Sequence, residues 1–417
     1  MRNRRLESAE TKPGDHVILL YENTAELFGF VVPFVTQGLA NGERCVYVAA
    51  ESTPADVIDA LAAAGVPVAR ETKRGAFALM TPREYFGLPP LDPGRAIEQL
   101  QRRVTEAVST GFAGLRVADE MTWAGTEGVA EEILGEYEAL LETILGSGRV
   151  TLACIYRRDR FDPVVLERQV RTYGKVVADD YVYLSLSALF RNLARTDLEG
   201  LARSARERTV RKGELFFRQG EEATDVFFLT AGTVKLERTD ADGQNVVLRI
   251  IAPMQPFGER VLAFGGGVRL ASAEALEDSR ALAWDGSALL QFMLAHPAVP
   301  VNAIRVLEER VEAERSRLED FASPDVRRRL ARLFLRLGRH VGRQTRRGAV
   351  LNVALSRRDL AELAIASPYT VSRILAEWRR LDILDAQRTR IVIRDRDRLA
   401  AIAEQRVSRS TARSKIS

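Results

Sequence analysis

The chain predicts a multidomain protein: a three-layer α/β unit, then an all-β unit, then an all-α winged helix-turn-helix unit. Three observations carry that reading. From His16 to about Ser185, short apolar runs alternate with helical stretches, the order that builds a mostly parallel sheet covered on both faces. Beyond Ser185, turn signals recur every 8–12 residues, from Lys212-Gly213 to Gly265-Gly266-Gly267, which fits a β-sandwich, barrel or roll. Between Leu355 and Asp385 two short amphipathic helices are marked by their own caps.

Composition narrows the function classes. An apolar fraction of 46% and a charged fraction of 28% over 417 residues are those of a globular protein of two to four domains. No apolar run nears the ~20 residues that span a bilayer, and MRNRRLESAETKPGD offers no signal peptide, so a cytoplasmic protein without membrane contact is expected. Cys45 and Cys154 are the only cysteines, too few for a disulfide framework or a four-cysteine metal site, and no metal is assigned. The net charge of +4 is unevenly spread: from Ser323 onward 23 basic residues face 9 acidic ones, a net +14, whereas the preceding residues sum to −10. A basic C-terminal module on an acidic body suits phosphate binding, because nucleic-acid affinity rests on Lys and Arg displacing counterions.

Residues 1–14 read as a loose leader closed by Pro13-Gly14, and residues 15–185 as the α/β unit. HVILLY, CVYVAA, FALM, LRVAD and VTLACIY are its strands; helices run to Ala40, from Pro54 to about Ala64, from Pro93 to Ser109, within Thr126–Leu145 and from near Pro163. Ligands of such sheets sit outside the carboxyl ends of the strands. Tyr21, Glu22, Glu51, Asp119, Glu120, Trp123, Tyr156 and Arg157 fall there, although a carboxylate at a helix start can equally serve solvation and the helix dipole. ENTAELFG after the first strand has neither the glycines nor the Lys-Ser/Thr pair of a phosphate loop. GDHVILLYE, NGERCVYVAAE, GLRVADEMTWA, EYEALL and ACIYRRDRFDP resemble the MEDS sensory domain over roughly residues 12–185. The resemblance implies a RecA-like fold without a working phosphate loop and a small-molecule effector, a hydrocarbon derivative, with His16, Tyr21, Glu22, Glu51, Glu120, Trp123 and Tyr156 as candidate pocket residues. An enzymatic α/β domain is the alternative from another class; no nucleophile elbow, metal spacing or phosphate loop supports it, and no catalytic residue is assigned.

Residues 186–296 form the all-β unit, and RKGELFFRQGEEATDVFFLTAGTVKLE resembles the cyclic-nucleotide-binding β-roll, a double-stranded β-helix, of the Crp/Fnr regulators. The resemblance runs to Leu399. It implies a ribose carboxylate at Gly258-Glu259 and a phosphate guanidinium at Arg269. Leu270 replaces the hydroxyl residue beside that arginine and Arg260 replaces an aliphatic one. These departures favour an empty or structural roll, with Glu259 and Arg269 able to pair with each other, over a cyclic-nucleotide cofactor; a cyclic-nucleotide-responsive roll with the N-terminal unit as an interaction platform stays the alternative.

Residues 297–322 predict one long helix with Ile304, Leu307, Val311, Leu318 and Phe321 at a and d positions, broken at Glu314. The family uses this helix for dimerisation, which implies a homodimer. Residues 323–400 form the DNA-binding unit: Ser323-Pro324 opens a basic helix, Ser356 and Asp359 make a capping box, Ile365-Ala366 turn, and Ser367-Pro368 start a second helix. Val371, Ile374, Leu375 and Trp378 make its apolar stripe, leaving Tyr369, Ser372, Arg373, Ala376 and Arg380 on the face that suits a major groove. Crp-type members carry Arg and Glu at the positions of Pro368 and Tyr369; only the last base-reading arginine of that trio is kept, as Arg373. Ser367, Thr370, Arg357, Arg380 and Arg390 complete the candidate DNA contacts, Gln387–Arg394 reads as a wing, and residues 401–417 as a basic tail. The implied partners are a pseudo-palindromic DNA operator, a small-molecule effector and, for an activator, RNA polymerase.

Overall fold

The computed structural model describes residues 11–87, 91–126, 129, 131–172, 175–240, 245–321, 325–345, 348–351, 355–387 and 391–404. Strands β1 (His16–Tyr21), β2 (Arg44–Val48), β3 (Phe77–Met80), β4 (Leu115–Glu120), β5 (Val150–Arg157) and β6 (Lys175–Val177) form one sheet in the order β3-β2-β4-β5-β1-β6. All its pairings are parallel. Successive side chains of a strand point to opposite faces, so each strand feeds two cores. Ile18, Val46, Val117 and Cys154 pack under helices Pro93–Ser109 and Glu131–Leu145, whereas Val17, Tyr47, Ala118 and Ile155 pack under Thr24–Ala40 and Pro54–Ala63. The helix starts follow from local chemistry. Thr53 and Thr81 both accept from the amide three residues on and precede a proline at the first helical position. The sequence reading missed β6 and the short helices Val68–Lys73 and Pro82–Phe86. Thr11, read as part of the leader, is buried, its hydroxyl donating to Gln37 at 2.8 Å.

The first of these cores continues into the next unit through Phe190, Leu198, Leu201, Phe228 and Trp284, whose indole donates to the Leu201 carbonyl at 2.9 Å. There β7 (Arg206–Val210), β8 (Leu215–Phe217), β9 (Asp225–Ala231), β10 (Val234–Thr239), β11 (Asn245–Ile251), β12 (Pro256–Phe257), β13 (Ser272–Ala275) and β14 (Ser279–Asp285) make two four-stranded sheets, β11-β10-β13-β8 and β12-β9-β14-β7. This is the roll. A helix, Gly286–Ala295, bends by 110° into the long helix Ala298–Phe321. Along the latter, Val301, Ile304, Leu307 and Val311 stand exposed, with Ile304 at 66%. The side chains of Leu318 and Phe321 lie outside the described set.

The C-terminal unit opens with helix Val326–Val341, followed by a hairpin of β15 (Gly342–Thr345) and β16 (Gly348–Leu351) that the sequence reading did not foresee. Helices Arg357–Ala364 and Pro368–Arg380 come next. The wing strands β17 (Leu384–Ala386) and β18 (Ile391–Ile393) begin three residues before the expected Gln387 and join the hairpin in a sheet ordered β15-β16-β18-β17. Arg396–Glu404 is a closing helix packed on Val326–Val341, so part of the expected tail is folded. The unit also rests on the roll: Lys235 of β10, 7% exposed, points its ammonium at Glu237, Glu274 and Asp359, at 2.8, 3.1 and 3.3 Å. No single described helix is long and apolar enough to cross a membrane.

Candidate functional site

The recognition helix is built from its cap inward. Ser367 accepts from the Thr370 amide at 3.1 Å, and the two hydroxyls lie 2.9 Å apart. Val371, Ile374, Leu375 and Trp378 are all buried, and Trp378 meets Phe334 edge-on with centroids 6.2 Å apart. Four such side chains, each worth about 1.5–3 kcal/mol on burial, fix which face stays free. Tyr369 is 79% exposed, and Ser372, Arg373 and Arg380 share its freedom. The turn is tight enough to force Ile365 to φ 47°, a left-handed conformation unusual for a β-branched residue, with its side chain out in solvent. Two of the expected contacts are placed otherwise. Arg357 is half-buried and donates to the Ala386 carbonyl at 2.6 Å, tying the first helix to the wing. Arg390 lies outside the described residues. Arg327 forks onto the Glu377 carboxylate at 2.6 and 2.7 Å, and that hydrogen bonding holds the carboxyl below its ordinary range.

In the roll, Arg269 is buried, and its terminal nitrogens donate to the Gly258 carbonyl at 2.9 Å and the Asp225 carbonyl at 2.7 Å. Its guanidinium carbon lies 4.2 Å from the Phe217 centroid. Gly258 is required here: at φ 76° a Cβ would sit 2.7 Å from the arginine. Phe216, Phe217, Phe227 and Phe257 fill the surrounding space, with centroids 5.1 to 6.1 Å apart. Glu259 does not pair with Arg269, as the sequence allowed. It binds Arg310 of the long helix, with Arg249 at 3.7 Å, so the carboxylate links roll to helix.

The α/β domain divides the expected pocket residues between the two faces and the edge of its sheet. Glu22 and Glu51 lie at the edge and are engaged in ion pairs. Glu22 meets Arg158 at 2.6 Å and also Arg195, and Glu51 meets Arg157 and, at 3.0 Å, Arg160. Glu120 is fully buried and accepts from the amides of Ala50, Glu51 and Ser52 at 2.8, 2.6 and 3.0 Å and from the hydroxyls of Tyr47 and Ser52. It clamps the loop after β2. Tyr21 shares its face, and its phenol is held above the ordinary range by burial first and then by Glu120 and Glu51.

His16, Trp123 and Tyr156 instead lie on the other face, but His16 pairs with Leu152 at the amino end of the strands, four residues along from Tyr156, so the three are not brought together. His16 Nε2 lies 3.2 Å from Cys154 Sγ, and Tyr156 donates to the buried Glu138 at 2.9 Å. Trp123 donates to Asp119 Oδ1 at 3.3 Å, and burial pushes that carboxyl up to about 8, so it is mostly protonated at neutral pH. Phe86 packs on Trp123 and Tyr137 at 4.6 and 5.7 Å between centroids. Beside them the Tyr85 hydroxyl is buried with no hydrogen-bond partner among the described residues, close enough to Asp119 to feel its charge. Tyr85, Tyr137 and Cys154 were missed as pocket residues, and Asp119, read at the strand ends, was not placed with them. The strand period that turns Asp119 toward Trp123 and Glu120 away was the signal that could have found half of them.

A β-roll joined by one long helix to a winged helix-turn-helix with a free recognition face defines a helix-turn-helix DNA-binding regulator. Residues 15–172 match the family described as MEDS: MEthanogen/methylotroph, DcmR Sensory domain; residues 207–296 match the cyclic nucleotide-binding domain and 328–402 the Crp-like helix-turn-helix domain. The CRP-like cAMP-activated global transcriptional regulator of Mycobacterium tuberculosis is 28% identical over 219 residues, 52% of this chain and 96% of that protein. The cyclic AMP receptor protein of Thermus thermophilus is 30% identical over 189 residues, 45% of this chain and 84% of that one. Among solved structures, the catabolite activator protein of Thermus thermophilus is 28% identical, with a TM-score of 0.30 over 52% of this chain and 98% of that one. The chain belongs to the Crp family of transcriptional regulators and carries an N-terminal MEDS sensory domain.

Proposed function

We propose that the protein is a homodimeric regulator whose N-terminal domain binds a small effector on the face of its sheet covered by helix Glu131–Leu145, and whose two recognition helices read a pseudo-palindromic operator. The observation that carries the effector reading is the Tyr85 hydroxyl, buried without a partner among the described residues, beside Asp119, whose carboxyl burial pushes up, and the rings of Phe86, Trp123 and Tyr137. A buried polar group left unmatched costs about 1–3 kcal/mol, which a ligand that hydrogen-bonds to it would recover. Relatives are named for cyclic AMP. In this chain Arg269 is committed to backbone carbonyls and Glu259 to Arg310, so the roll acts here as a structural coupler without a cyclic nucleotide. The exposed seam of Ile304, Leu307 and Val311 is the dimer contact, and the domain is a sensor rather than an enzyme. The protein works in the cytoplasm on duplex DNA, with RNA polymerase as a further partner if it activates.

Arg373 reads a base in each half-site. Arg373→Ala is expected to weaken operator binding by ~1–3 kcal/mol and to relax specificity at one base pair per half-site, measured by footprinting. A normal footprint would place the recognition face wrongly. Thermal shift of the full chain against a small-molecule library, repeated with Trp123→Ala, tests the effector face; a hit that stabilises both proteins equally binds elsewhere.

A further inference from the structure

Helix Glu131–Leu145 packs on helix Pro93–Ser109 and strand β5 within its own domain and on one strand of another domain. One side covers the Asp119 cluster through Leu134, Tyr137, Glu138 and Leu141, all buried. Against it also lies β15 of the DNA-binding unit, with Cα atoms within 8 Å, and helix Pro163–Thr172 approaches the same strand. β15 is the outermost strand of its sheet, bonded only to β16. An edge strand presents unpaired backbone groups and is commonly protected by a covering helix, and here that cover comes from a different domain.

Charge fits the arrangement. The helix carries five glutamates and no basic residue. Helix Val326–Val341, which leads into β15, carries six arginines and no acidic residue, and Arg343 follows within the strand. Glu138 is buried on Tyr156 and takes no part; opposite charges attract within a Debye length of about 10 Å at 0.1 M salt, and an acidic helix beside the basic unit repels approaching DNA phosphates.

We propose that helix Glu131–Leu145 is an intramolecular docking surface for the DNA-binding unit, occupied by the edge strand Gly342–Thr345 of the same chain, which leaves the recognition face exposed but keeps an acidic helix beside that unit and so weakens its hold on DNA. Docking stands on the topology and the charges. Its release by an effector beneath the helix rests on the sensor reading above, because the same helix roofs the effector face and contacts the strand. The signal then passes from sensor to DNA-binding unit directly, beside the route through the roll at Glu22–Arg195 and Lys235–Asp359.

Cysteine pairs test the contact in the full chain. Thr143→Cys or Glu142→Cys is combined with Gln344→Cys and treated with a short bismaleimide; Cys45 and Cys154 are both buried and do not compete. The expected result is an intrachain link that keeps the mass of one chain on a denaturing gel and whose yield falls when excess random-sequence duplex is added. No link in either pair, a link between two chains, or a yield indifferent to duplex would overturn the proposal. The neutral variant Glu131→Gln/Glu132→Gln/Glu142→Gln keeps helix propensity. It is expected to bind the same duplex roughly three- to tenfold more tightly at low salt, with the gain vanishing at high salt; unchanged affinity at low salt would also overturn it. If linking and tighter binding are found but no library compound alters either, docking stands and the effector reading fails.

Discussion

The interior of the roll and the covered face of the sensory sheet each hold a polar group in aromatic surroundings, and they treat it in opposite ways. In the roll, Arg269 engages two backbone carbonyls through its terminal nitrogens and the ring of Phe217 through its π face. On the sensor, Asp119 has one long hydrogen bond from Trp123, and the Tyr85 hydroxyl has none among the described residues. The domain whose relatives are named for a ligand has turned its ligand-type residues inward to its own backbone. The domain with no phosphate loop keeps polar groups unspent. The contrast is one of degree: Arg269 leaves only its Nε without a partner among the described residues while its terminal nitrogens are both engaged, whereas the single polar atom of the Tyr85 side chain has none.

The largest test of that contrast is the pH dependence of stability. Asp119 has its folded value raised, by burial, from 3.8 to about 8. The folded chain therefore keeps a proton that the unfolded chain releases between those values. Its stabilising effect is complete below about pH 4, falls by up to about 1.4 kcal/mol per pH unit as pH rises, and is gone above about 8. Thermal melts of the full chain between pH 5 and 8.5 should decline more steeply than those of Asp119→Asn. Superimposable curves would mean that Asp119 is ionised and that the face is no receptive pocket.

The roll side can be broken with Arg269→Met. Removing the guanidinium leaves the Gly258 and Asp225 carbonyls buried without their donor, and a loss of about 3 kcal/mol is expected from the shift in urea midpoint. A guanidinium held ready for a phosphate would be removed at little cost to stability, so an unchanged midpoint would reverse the assignment of the two regions.

What the sequence disclosed follows the same physical line. The recognition helix was legible to the residue because its information is local: Ser367 caps within three positions and the stripe from Val371 to Trp378 repeats at helical period. The parallel α/β order was legible for a similar reason, each strand and helix declaring itself. The effector face was not, because it depends on pairings far apart in the chain. Glu120 looked like a pocket residue until its partners proved to be amides about 70 residues earlier, at Ala50, Glu51 and Ser52. Asp119, next to it, points to the opposite face and meets Tyr85 from a five-residue helix that no periodicity could announce. Glu259 and Arg269 were found by motif, but their partners, Arg310 and two backbone carbonyls, carry no sequence signature.

The finest discrimination comes from a single oxygen. Tyr85→Phe keeps the ring that packs on Phe86 at 4.8 Å and lies under Arg103 at the same distance, and deletes only the hydroxyl. If that hydroxyl has no partner in the unliganded protein, its removal relieves a desolvation cost, and the variant should be more stable than the parent by about 1 kcal/mol in urea or thermal unfolding. Any compound that stabilises the parent through this face should lose affinity for the variant by a similar amount, about fivefold to tenfold. The two shifts have opposite signs, which a structural tyrosine cannot produce: a hydroxyl already satisfied within the fold would destabilise on removal and leave ligand affinity untouched.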